Sequence, residues 1–88
     1  IYIEAMDDYV MIYTQEGRYI KQKRMKDLED SLDPQEFIRI HRSSIVKVNE
    51  IKEIQQYEKE SHIVILSNKT KLKVSKSGYK KLKEILNF

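Results

Sequence analysis

Apolar residues recur along the chain in short runs: Ile1-Tyr2-Ile3, Tyr9 to Tyr13, Arg18-Tyr19-Ile20, Phe37 to Ile40, Ile45-Val46, Ile51 to Tyr57, His62 to Leu66 and Lys71 to Val74. They are rich in Ile, Val and Tyr, and several alternate with polar residues, the pattern of a half-buried strand. Thr14-Gln15-Glu16-Gly17-Arg18 separates two of these runs, and Gly17 can supply the positive φ that closes a hairpin. Ser67-Asn68-Lys69-Thr70 reads as a second turn, with Asn68 expected in the left-handed conformation. Asp7-Asp8, between Met6 and Tyr9, reads as a solvated turn.

Two segments switch to a helical period. Met25, Leu28 and Leu32 fall at i, i+3 and i+7, and the helix should stop before Asp33-Pro34, because proline restricts the residue ahead of it. From about Ser77 to Leu86, Tyr79, Leu82, Ile85 and Leu86 share one face while Lys80, Lys81, Lys83 and Glu84 lie elsewhere. Ser75 or Ser77 can cap this helix. The sum is a mainly β fold of antiparallel sheets with two short helices, since strands so closely spaced leave no room for parallel crossovers.

The 88 residues support one small core and are read as a single domain, 1–88. Without cysteine there is no thiolate chemistry, iron–sulfur ligation or Cys-type zinc site, and a reducing cytoplasm is the expected location. No apolar run approaches the roughly 18 residues of a membrane span, so no membrane partner is expected. The chain opens inside what reads as a strand, which suggests a longer protein with a domain upstream.

Net charge is only +3, but it is unevenly placed. Residues 1–40 carry six Lys/Arg against nine Asp/Glu, and residues 41–88 carry eleven against five. A domain polarised in this way is a better candidate for a polyanion partner than its total suggests.

Catalytic chemistry is poorly represented. His41 and His62 lie in different strands, with no second His or Cys at ligand spacing, so neither metal nor cofactor is expected. His41 fits a histidine bonded to backbone beneath a turn. Asp7 and Asp8 are neighbours, whereas paired catalytic carboxylates face each other across a cleft. There is no Gly-x-Gly-x-x-Gly, P-loop or nucleophile elbow, and an enzyme is not expected.

Phe37-Ile38-Arg39-Ile40-His41-Arg42-Ser43-Ser44-Ile45-Val46, followed by Asn49-Glu50-Ile51, resembles the central motif of LytTR domains, the DNA-binding output modules of LytR/AgrA-type response regulators. Ile3-Glu4-Ala5 with Asp7-Asp8-Tyr9-Val10 is similar to the family's early strand–loop–strand. Met25-Lys26-Asp27-Leu28-Glu29 with Leu32 is similar to its short helix, and Leu72 to Ser77 with Tyr79 and Leu82 to its closing strand and helix. The resemblance covers essentially the whole chain. Family members usually carry another strand ahead of the counterpart of Ile1, so the chain is expected to be the C-terminal output domain of a longer regulator.

The resemblance implies an elongated, mainly β fold whose loops enter successive major grooves of double-stranded DNA. It implies a homodimer on paired half-sites, governed by an N-terminal receiver or sensory domain. The family's DNA contact after the motif histidine falls on Arg42, with Ser43 beside it. The early-loop contact falls on Tyr9 or Asp8, and the contact before the last helix on Lys76 or Ser77. An arginine fork matches guanine O6 and N7 or clamps a phosphate, and a helix start favours phosphate. Asp7 and Asp8 repel phosphate, so their loop must accept from cytosine amino groups or lie clear of the backbone. Lys47, Lys73 and Lys80 would add diffuse attraction. Two departures bear on base preference: Ser44 stands where the family often has an aromatic residue, and Lys47 where it often has asparagine. The competing reading is a β-rich protein-interaction module that pairs through strand edges without binding nucleic acid.

Overall fold

The structure, a computed structural model, describes residues 1–59 and 61–87. Its elements are β1 (Tyr2–Met6), β2 (Tyr9–Thr14), β3 (Gly17–Lys21), α1 (Met25–Ser31), β4 (Phe37–His41), β5 (Ser44–Lys47), β6 (Ile51–Glu58), β7 (Ser61–Leu66), β8 (Lys71–Val74) and α2 (Lys76–Leu86). A 3-10 turn at Val48–Glu50, which the hydrophobic pattern does not foretell, joins β5 to β6. The strands form two antiparallel sheets, β3-β2-β1-β5-β4 and β6-β7-β8, and the molecule measures 34 × 24 × 23 Å.

Side-chain alternation explains the layering. Tyr2 and Ile3, adjacent in β1, point to opposite faces of the larger sheet, and both faces are covered. On one face Tyr2, Ile38, Ile40 and Val46 pack with Val64, Leu66, Leu72 and Val74 of the smaller sheet and with Leu82 of α2. On the other, Ile3, Val10 and Ile45 pack with Met25 and Leu28 of α1. Each fully buried aliphatic side chain stabilises the fold by about 1.5–3 kcal/mol, so the two clusters dominate the stability of a chain this small.

The turns follow local chemistry, with one correction. Gly17 has φ 145°, as expected, and Asp7 closes the β1–β2 turn at φ 55°. In the β7–β8 turn the left-handed residue is Lys69 (φ 73°) rather than Asn68. Asn68 instead accepts the Thr70 N–H on its Oδ1 at 3.1 Å, bonding the backbone two residues on, the other role asparagine plays in turns. α1 ends at Ser31 with Leu32 as its cap, after which the Asp33 carbonyl accepts the Glu36 and Phe37 N–H groups.

α2 begins one residue earlier than its apolar period predicts. Ser75 is its cap, accepting the Gly78 N–H on Oγ at 3.0 Å, and Asn87, at φ 59°, closes the other end by donating to the Lys83 carbonyl. The ring of Tyr79 stacks on His62 with centroids 3.7 Å apart, which seats the helix against β7.

Candidate nucleic-acid interface

Strand order places four loop segments at one end of the larger sheet. The β1–β2 turn (Asp7, Asp8) leaves from Met6, which pairs with Tyr9, and the end of β3 lies beside the start of β2 through Val10↔Lys21. The β4–β5 turn (Arg42, Ser43) abuts β1 at the same end, where the Ala5 N–H donates to the Ser43 carbonyl at 2.9 Å. The β3–α1 connector, the Asp7-Asp8 turn and the Arg42-Ser43 turn therefore stand in a row along the sheet edge, and α2 starts beyond β4.

A bulge in β4 attaches α2 to this row. Arg39 pairs with Ile45 and His41 with Ser44, so Ile40 is an extra residue in its strand. A bulged residue drops out of the ladder, and the Ile40 carbonyl accepts instead from the Ser75 N–H at 2.7 Å and the Ser75 hydroxyl at 3.1 Å. Gly78, one turn on, lies directly over Ile40. A Cβ there would stand 2.7 Å from the Ile40 Cα and closer still to its carbonyl. The absence of a side chain at 78 thus lets the start of α2 reach the Arg42 turn. Arg42, Ser75, Ser77 and Lys81 line a cleft of about 460 Å³ between them.

His41 organises the turn from below. The Ser43 N–H donates to His41 Nδ1 at 3.2 Å, and the Ser43 hydroxyl lies 2.9 Å from the same nitrogen. A backbone N–H can only donate, so Nδ1 is the acceptor in this contact. The histidine braces the turn, and Ser43 is held by its backbone and side chain together.

The two motif arginines take opposite roles. Arg39 is partly buried, pairs with Glu29 of α1 at 3.3 Å and donates from Nη2 to the Arg42 carbonyl at 2.6 Å. Arg42 is exposed and, among the described residues, its guanidinium enters no ion pair. The structural ion pair open to either arginine belongs to Arg39.

The remaining predicted residues divide. Lys76 and Ser77 are exposed in the first turn of α2, beside the Arg42 cleft, and Tyr9 is half exposed next to the Asp7-Asp8 turn rather than in the core. Lys47 is not part of this cluster. It ends β5 at the far side of the sheet, opposite Phe37, and its N–H donates to the Ile1 carbonyl. Ser44, the departure in the motif, is buried, its backbone paired with Glu4 and His41.

The sequence pattern does not single out Lys23, Arg24, Arg39 or Gly78. Lys23 and Arg24, both exposed and in no ion pair among the described residues, line a cleft of about 540 Å³ together with Asp7, Asp8 and Tyr9. They set two cations beside the acidic turn. Gly78 had a signal of its own, since a glycine inside a helix costs about 1 kcal/mol against alanine and so marks a close approach. Met6, Tyr9 and Ile20 add exposed apolar surface flanking the β1–β2 turn. Among the described residues, no group of three or more His, Asp or Glu is arranged to hold a metal ion, and no helix is long and apolar enough to cross a membrane.

Comparison with known proteins bears directly on this arrangement. A family model described as the LytTr DNA-binding domain matches residues 1–87. The transcriptional regulatory protein LytR of Staphylococcus aureus (strain N315) is 39% identical over 72 residues, covering 82% of this chain and 29% of that protein. The sensory transduction protein LytT of Bacillus cereus is 31% identical over 86 residues, covering 98% of this chain and 35% of that protein. The chain spans about a third of the length of these relatives. A solved LytTr DNA-binding domain from a Bacillus cereus protein described as a methyl-accepting/DNA response regulator superposes with a TM-score of 0.90 at 30% identity, over 100% of this chain and 81% of that one.

Proposed function

The chain belongs to the LytTR family of DNA-binding domains, and from that premise we propose that it grips DNA with the row of loops at one end of its five-stranded sheet. Arg42 is the central base-reading contact. The observation that carries this reading is the division between the arginines: Arg39 is consumed by Glu29, while Arg42, exposed and without an ion pair among the described residues, projects from a turn pinned by His41.

The rest of the row supplies position and further discrimination. Lys76 and Ser77 at the start of α2 meet backbone phosphate, where the positive end of the helix dipole favours an anion. Lys23 and Arg24 meet phosphate at the other end of the row, so the Asp7-Asp8 turn between them can approach bases without supplying affinity itself. Its carboxylates accept from cytosine amino groups, and Met6 and Tyr9 offer apolar surface to thymine methyls. Five strands at the usual spacing make the row about 20 Å wide. This exceeds the roughly 12 Å of one major groove, which supports loops entering successive grooves.

In the full-length protein the domain is the C-terminal output unit of a cytoplasmic, non-enzymatic regulator, acting as a dimer on paired half-sites under an N-terminal receiver. The test is a footprint of the full-length protein on the promoter of its own operon, repeated across salt concentrations. Phosphate contacts make affinity fall steeply with salt, and Arg42→Ala should cost on the order of 1–3 kcal/mol and relax the preference at one position. Binding indifferent to salt, or an Arg42→Ala footprint identical to the original, would overturn the reading.

A further inference from the structure

Arg39 is held at two of its nitrogens, by Glu29 of α1 and by the carbonyl of Arg42 in the adjoining turn. Nη1 meets Glu29 Oε1 at 3.3 Å, Nη2 meets the Arg42 carbonyl at 2.6 Å, and the other oxygen of Glu29 lies 3.6 Å from Lys81 of α2. One carboxylate on α1 thus ties the β4–β5 turn and α2 together through two cations. The third nitrogen of the fork, Nε, is buried without a hydrogen-bond partner among the described residues. A buried unsatisfied donor is destabilising, so this arginine is poorly explained by stability alone.

We propose that Arg39 is a positioning residue for DNA recognition, its guanidinium fixing the Arg42 carbonyl and so the direction in which the Arg42 side chain leaves the turn. Glu29 and Lys81 are the anchor that keeps the guanidinium plane from rotating. The inference rests on Arg42 contacting a base, as proposed above. The rest of the turn is held by the β4–β5 ladder, by the Ala5 N–H on the Ser43 carbonyl and by His41 beneath Ser43, none of which bonds the Arg42 carbonyl. A planar fork can bridge a carboxylate and a carbonyl at once, which the single ammonium of lysine cannot do with the same geometry. The specificity of the domain therefore depends on a glutamate of α1 that lies behind the turn it steadies.

The experiment uses the full-length protein and a duplex enriched by it from a random-sequence pool, with a scrambled duplex of equal composition as the reference. The readout is the ratio of the two affinities at fixed salt, with thermal melting recorded for each variant. Arg42→Ala should lower the ratio about tenfold, within what one bidentate base contact discriminates. Arg39→Lys should lower it by most of that factor, and Glu29→Gln by less. The Arg39→Lys, Arg42→Ala double variant should fall no further than Arg42→Ala alone, because no side chain remains to be aimed. Glu29→Gln, which keeps the shape of the anchor, carries the test if the Arg39 variants melt early. If Arg42→Ala lowers the ratio while Arg39→Lys and Glu29→Gln leave it unchanged, the positioning role is refuted. Additive losses in the double variant also refute it, since Arg39 would then act on DNA by itself. An unchanged ratio for Arg42→Ala overturns the underlying reading instead.

Discussion

Gly78 of α2 rests on the backbone of Ile40 with no space for a side-chain carbon between them. Helix propensity favours alanine here by about 1 kcal/mol, and overpacking opposes it by about 1–3 kcal/mol. The obstacle is backbone carbonyl, which cannot swing aside, so overpacking should win. Gly78→Ala is expected to lower the thermal midpoint and to weaken DNA binding by moving Ser75, Lys76 and Ser77 away from Arg42. A variant melting higher than the original with full affinity would show that the helix can lift off β4 without consequence.

His41 should be separable into its acceptor and its bulk. His41→Ala removes the acceptor for the Ser43 N–H and is expected to cost about 1 kcal/mol in stability and to loosen the Arg42 turn. His41→Asn offers a side-chain oxygen near the place of Nδ1 and should recover part of both. Denaturant titration and DNA affinity of the two variants check this, and an asparagine variant no better than alanine argues against the hydrogen bond as the cause.

Lys23→Ala and Arg24→Ala are expected to weaken binding by similar factors on all sequences. Each should reduce the slope of log affinity against log salt by about 1, as for the loss of one phosphate contact. Asp8→Asn should do the converse, altering the enriched sequence with little effect on the slope. Equal slopes for all three would remove Lys23 and Arg24 from the interface.

Burial pushes the Tyr2 phenol above its ordinary value near 10, against a smaller opposing effect of a hydrogen bond with Thr70. The folded state then holds this proton more tightly than the unfolded chain. The associated stability is complete below the unfolded value and is lost as pH rises through the raised folded value. Tyr2→Phe should accordingly flatten the fall in stability above about pH 10. Alkaline melting curves of equal steepness for the two proteins would contradict it.

Much of the fold was legible because strand and helix periods are local. The run Phe37 to Ile40, the helical spacing of Met25 and Leu28, and the turn at Gly17 depend on neighbours within a few residues. The left-handed position at Lys69 was not, because asparagine can serve a turn by its side chain as readily as by its backbone. The site was legible only in pieces. Arg42 and Ser77 stand out as residue types, but their proximity depends on the extra residue at Ile40 and the bare backbone at Gly78. Whether Lys47 joins them depends on strand direction, which carries it to the opposite end of β5. Nothing local separates Arg39 from Arg42, since the difference is set by Glu29, ten residues away on α1.

Pairing of β1 with β5, through Ile3↔Ile45, puts the first strand of the chain at the centre of the sheet. The row of loops is therefore drawn from residues 7 to 77, and no contiguous half of the chain contains it. During synthesis the Asp7-Asp8 turn and its hairpin can form early, but the Arg42 turn has no neighbour until β5 closes on β1, and its cleft has no second wall until α2 has left the ribosome. A chain interrupted before Ser75 would carry most of the basic and acidic groups of the interface and would lack the second wall of the Arg42 cleft. Recognition of DNA is in this sense the last property the domain acquires, and it arrives together with the completed core.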